Sequence, residues 1–109
     1  MIASLDEHGF PDAVLRSTLP VMVVFTTAWA GSFHIVRATL ESMAREYEGM
    51  INSYLVDTEK ARALAEQYGV RQVPTTLFFR RGEVVDLIPG AVPGAELKKK
   101  IDDLLRRTD

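Results

Sequence analysis

Ser32 and His34 are the one nucleophile-like pair near a predicted helix start in this sequence. Residues two apart on a helix point in different directions, so His34 is badly placed to take a proton from Ser32. No acid lies nearby in sequence to orient the imidazole, and the plainer reading is an N-capping serine beside a surface histidine. Two pairs of carboxylates invite a metal reading. Asp57 with Glu59 falls at a strand end and a helix start, where acids complement the helix dipole. Asp102 with Asp103 falls on the polar side of an amphipathic helix, so solvated surface is expected for both pairs. The only histidines are His8 and His34, and there is no cysteine. That excludes disulfides, thiol nucleophiles, iron–sulfur clusters and thiolate zinc sites, and no metal or other cofactor is expected.

Thirteen Lys and Arg against fifteen Asp and Glu leave a net charge of −2 over 109 residues. Such a balance gives no electrostatic reason to bind nucleic acid or an anionic membrane. Lys98-Lys99-Lys100 and Arg106-Arg107 make the last predicted helix basic, but nearby acids offset them and no aromatics interleave. Arg80-Arg81 belongs to a predicted turn, where charge guards a sheet edge. With 47% hydrophobic residues the chain has enough apolar surface for one core, and residues 1–109 are expected to form a single domain. The first ten residues lack the basic start and apolar run of a targeting segment, so a cytoplasmic protein is expected.

These side chains must be positioned by alternating strands and helices. Met1–Leu5 is a short strand candidate, and Pro11–Ser17 a short helix opened by proline. Val21–Phe25 is a continuous β-branched and aromatic run, the pattern of a strand covered on both faces. From Ser32 the period lengthens: Val36, Leu40, Met43, Ala44 and Tyr47 form one helical stripe, with Gly49 as the stop. Ile51–Asp57 returns to strand character. Ala61, Leu64, Ala65 and Tyr68 mark a second helix ended by Gly69. Thr75–Phe79 and Val84–Ile88, joined by Arg80-Arg81-Gly82-Glu83, read as an antiparallel hairpin. Leu97, Ile101, Leu104 and Leu105 mark a last helix beginning near Pro93. The order β-α-β-α-β-α-β-β-α predicts an α/β protein, a three-layer α/β/α sandwich around a mixed central sheet.

Four segments make the chain resemble the thioredoxin family over nearly its whole length. They are V-V-F-T-T-A-W-A-G-S-F at Val23–Phe33, A-E-Q-Y-G-V-R-Q-V-P-T at Ala65–Thr75, F-F-R-R-G-E-V at Phe78–Val84, and P-G-A at Pro89–Ala91. The resemblance implies a thioredoxin-like fold with a cis peptide bond before Pro74. It also shows what is missing. Where the family carries W-C-G-P-C, this chain has Trp29-Ala30-Gly31-Ser32-Phe33, so the attacking thiol is replaced by Ala30 and the resolving one by Phe33. The position of the family's buried Asp holds Val24, that of its partner Lys holds Ser53, and that of its helix-kinking Pro holds Ala38. A buried carboxylate is costly to desolvate, so its replacement by Val24 fits a chain without redox duty. Val24 and Phe33 are expected to form an apolar plug across the vestigial site.

In the family an extended partner segment lies across three loops. The matching positions are Trp29, Ala30, Gly31 and Ser32, then Val73 with Pro74, then Gly90 with Ala91. The resemblance therefore implies a redox-inactive binding module, an adaptor, scaffold or folding helper that holds a protein or extended peptide by this groove. Two alternatives stand beside it: a thioredoxin or disulfide-reductase role inferred from likeness alone, and an unrelated enzyme using Ser32 and His34. Trp29 covering the core, and Pro74 and Gly90 serving only turn geometry, is the purely structural counter-reading.

Overall fold

The computed structural model describes residues 2–107. Its sheet has five strands in the order β1-β3-β2-β4-β5. These are β1 (Ala3–Leu5), β2 (Val21–Thr26), β3 (Asn52–Asp57), β4 (Thr75–Arg80) and β5 (Glu83–Pro89). β1, β3 and β2 run parallel, while β4 is antiparallel to both β2 and β5. The helices are α1 (Phe33–Glu46), α2 (Arg62–Gln67) and α3 (Gly94–Arg106). Met1 lies outside the described residues, so the first strand is seen from Ala3.

The uninterrupted apolar run of β2 has the predicted cause. All six of its residues are buried, because both faces of the central strand are covered. Met22 and Val24 face a core completed by Leu40, Met43 and Tyr47 of the first helical layer and by Leu97, Ile101 and Leu104 of α3. Val21, Val23 and Phe25 face the other core, with Phe10, Val14, Ala61, Leu64 and Ala65. Adjacent residues of β4 divide in the same way, Phe78 to the first core and Phe79 to the second. Phe79 meets Tyr68 edge-on at 5.4 Å and Phe10 at 5.7 Å. Each large apolar side chain buried here contributes roughly 1.5–3 kcal/mol relative to exposure. The three layers and the mixed sheet follow from this two-sided burial.

Several boundaries differ from the sequence reading. The segment expected as a helix over Pro11–Ser17 is a single π-helical turn, Pro11–Leu15, closed by the Arg16 N–H on the Pro11 carbonyl at 3.0 Å. Burial of Phe10 and Val14 fixes its pose, and five residues leave no room for a regular helix. Ser32 precedes α1 but its side chain makes no capping hydrogen bond; its carbonyl accepts from Val36 N–H at 2.9 Å instead. α1 ends at Glu46 rather than at Gly49. The N–H groups of Met50 and Ile51 both reach back to the Tyr47 carbonyl, closing a turn that contains Gly49 at φ 82° just beyond the helix. The hairpin is tighter than expected. Strands β4 and β5 extend to Arg80 and Glu83, leaving only Arg81 and Gly82 at φ 53° and 81°, the left-handed pair of a type I′ turn.

Candidate functional site

The loop between β2 and α1 folds back on itself before the helix begins. Ala30 N–H donates to the Thr27 carbonyl at 3.2 Å, and Phe33 N–H to the Ala30 carbonyl at 3.0 Å. This fixes the two positions where the family has thiols at the entrance of α1. Trp29 does not cover the core. It is 82% exposed, and its indole Nε1–H donates to Glu59 Oε2 at 3.1 Å. Glu59 therefore does not start a helix, as the sequence suggested. It sits in the turn before α2, where its N–H donates to Asp57 Oδ1 at 2.9 Å.

Across the sheet, the Val73–Pro74 bond is cis, Pro74 is buried and Val73 is exposed. Gly90 N–H donates to the Pro74 carbonyl at 2.8 Å with Gly90 at φ 83°. That is backbone an L side chain rarely adopts, and it lets the loop after β5 close onto the proline. The result is a cleft with about 50 Å³ of inner space, open to solvent on one side, lined by Ile35, Val36, Thr39, Pro74, Gly90, Ala91 and Val92, with Val24 and Leu40 among its walls. Pro74, Gly90 and Ala91 are thus brought together as expected from the resemblance. Trp29, Ala30, Gly31 and Ser32 do not line this cleft.

The plug expected between Val24 and Phe33 is not formed. Val24 shares its cleft with Ile35, Val36, Thr39 and Leu40 from α1. Phe33 lines a different cavity, with Thr26, Arg37, Leu55 and Asp57, and meets His34 edge-on at 5.6 Å. Along α1, Ile35, Val36, Thr39 and Leu40 line the cleft with Val24, while Phe33 lines the cavity with Thr26 at the end of the same strand. Sequence reasoning also missed Ile35, which is 74% exposed. Its signal was present: a large aliphatic residue one place off the buried stripe of α1.

Among the described residues Ser32 and His34 form no hydrogen bond with each other, and no group of three His, Asp or Glu could hold a metal ion. Asp102 is not merely solvated: buried Tyr47 donates its hydroxyl to Asp102 Oδ1 at 2.6 Å. Burial first, then that hydrogen bond and the charges of Asp102 and Glu46, push the Tyr47 phenol well above its ordinary range. The basic helix is offset by ion pairs, Lys98 with Glu46 at 2.7 Å and Lys100 with Asp86 at 3.2 Å. Arg107 donates to the Val85 carbonyl at 3.1 Å on the outer strand β5. No helix among the described residues is long and apolar enough to cross a membrane.

A mixed five-strand sheet between two helical layers, with a tight loop at the start of α1 opposite a cis-proline, defines the thioredoxin-like class. The thioredoxin family model matches residues 1–103, and the chain belongs to the thioredoxin family. It is similar to thioredoxin 1 of Nostoc, with 35% identity over 92% of this chain and 94% of that protein. It is also similar to the chloroplastic M-type thioredoxins of spinach, at 36% identity over 95% of this chain, and pea, at 35% over 90%. The chain spans 58% of the spinach protein and 57% of the pea protein. With no cysteine in its sequence, it has no thiolate to begin or resolve a disulfide exchange.

Proposed function

We propose that this chain is a redox-inactive thioredoxin-family protein that binds an extended peptide or protein segment through the cleft beside Pro74. The observation that supports this reading is the convergence of Pro74, Gly90 and Ala91 on one apolar cleft whose rim carries the exposed Ile35. A solvent-exposed aliphatic residue beside a preformed apolar recess is the kind of feature that partner binding covers. Val73, exposed immediately before the cis bond, offers its backbone for strand-like pairing with the guest. Trp29, exposed in the loop before α1 and held by Glu59, is a second apolar contact available to a long segment. Binding here requires no sulfur chemistry, which is consistent with Ala30 and Phe33 in the thiol positions.

A library of extended peptides, read by the fluorescence of the single tryptophan, tests the reading. Selected peptides are expected to lose about tenfold or more in affinity to Ile35→Asp, which places a charge on the rim of the cleft while leaving the buried core untouched. Peptides whose binding is indifferent to Ile35→Asp and to Ala91→Asp would overturn it.

A further inference from the structure

A second cavity shares no lining residue with the cleft at Pro74. It opens at the carboxyl ends of the parallel strands, where Thr26 ends β2 beside its register partner Asp57 at the end of β3. The chain leaves these neighbouring strands toward opposite faces: α1 packs on the core of Leu40 and Met43, α2 on the core of Leu64 and Ala65. Such a divergence opens a crevice at the strand ends, the place where open α/β sheets bind ligands. Ser4, Thr26, Phe33, Arg37, Leu55 and Asp57 line it.

One residue lining this crevice stands out. Thr26 is only 2% exposed, and its Oγ1 has no hydrogen-bond partner among the described residues. A buried hydroxyl left unpaired carries a desolvation cost that a ligand's polar atom would relieve. The inner space is about 70 Å³, against roughly 10–15 Å³ for one water on the same measure. It adjoins a wider recess of about 350 Å³ that shares Ser4 and Asp57.

The walls select the chemistry. Arg37 contributes a guanidinium, held only at 3.8 Å from Glu41, and Asp57 contributes a carboxylate. A free anion would meet Asp57 and a free cation would meet Arg37, and each would lose hydration on entry. A neutral group with both an N–H donor and a carbonyl acceptor satisfies both walls. Phe33 and Leu55 supply apolar surface for its carbon frame. We propose that this crevice binds a small neutral carboxamide, its N–H toward Asp57 and its carbonyl toward the Thr26 hydroxyl and Arg37. The site does not depend on the peptide cleft.

The test is a titration of the ¹⁵N-labelled protein with acetamide, followed through backbone amide shifts. Saturable shifts are expected at Thr26, Thr27, Arg37, Leu55 and Asp57, with none at Gly90 and Ala91. Thr26→Val keeps the shape of the side chain and removes the hydroxyl; it should weaken acetamide about five- to tenfold. Acetate and guanidinium at equal concentration should not saturate these residues. Asp57→Asn provides an independent arm and should also weaken acetamide. Shifts that never saturate, equal affinity in both variants, equal binding of acetate or guanidinium, or a response confined to Gly90 and Ala91 would each overturn the proposal.

Discussion

Ser53 occupies the place where the family carries a buried lysine, and its hydroxyl is buried with no partner among the described residues. It lies opposite Met22 in the β2–β3 register, on the face that also carries Val24. An unpaired buried hydroxyl costs roughly 1–3 kcal/mol, so Ser53→Ala is expected to raise stability by about 1 kcal/mol. Urea unfolding should show a higher midpoint at unchanged slope; a lower midpoint would mean that Ser53 is satisfied in solution. Trp29 shows the opposite case at the same scale. Its position was legible because the resemblance placed it, but its tie to Glu59 joins residues thirty apart in sequence and had no local signal.

The β4–β5 hairpin shows what an element adds to its residues. The dipeptide Arg81-Gly82 marks a turn by composition, and the structure narrows it to a two-residue link. Gly82 is needed for two separate reasons. Its φ is 81°, and a Cβ there would lie 2.9 Å from the backbone carbonyl oxygen of Leu15, at the end of the π-helical turn. Backbone cannot swing aside as a flexible side chain can. Gly82→Ala is therefore expected to destabilise the protein by about 2 kcal/mol, visible as a lowered thermal midpoint. An unchanged midpoint would show that the turn and the first connection shift together at little cost. The same hairpin contains a register irregularity between Phe78 and Phe79, which sequence alternation alone did not indicate.

At the scale of the molecule, Asp86 ties the outer strand β5 to α3. Its carboxylate meets Lys100 at 3.2 Å and Arg107 at 3.8 Å and accepts the Leu87 N–H at 2.8 Å. Burial pushes the carboxyl up, but the Leu87 N–H and the two cations outweigh it and hold the group below its ordinary range. A carboxyl lowered on folding contributes its stability above the unfolded value and loses it as pH falls through the folded one. Asp86→Asn should therefore be less stable than wild type at neutral pH, with the gap closing below about pH 4. A gap independent of pH would remove the charge interaction as its cause. The thiol positions give the second whole-molecule expectation. Ala30→Cys with Phe33→Cys restores two sulfurs at the entrance of α1, and this double variant should reduce insulin disulfides while wild type does not. Failure of the double variant would mean that the surrounding surface no longer presents a disulfide to the helix start.

The amino-acid order by itself determined the layers, the strand and helix succession and the lack of a dithiol. Those follow from hydrophobic period, turn residues and the absence of cysteine, all of which are local or compositional. Tertiary structure alone decided that Phe33 and Val24 line different cavities, that Ile35 reaches the Pro74 cleft, and that Thr26, Arg37 and Asp57 share a crevice. Each depends on how far α1 is rotated and displaced over the sheet. That placement is set by side-chain packing between elements distant in the chain, which a one-dimensional period does not encode.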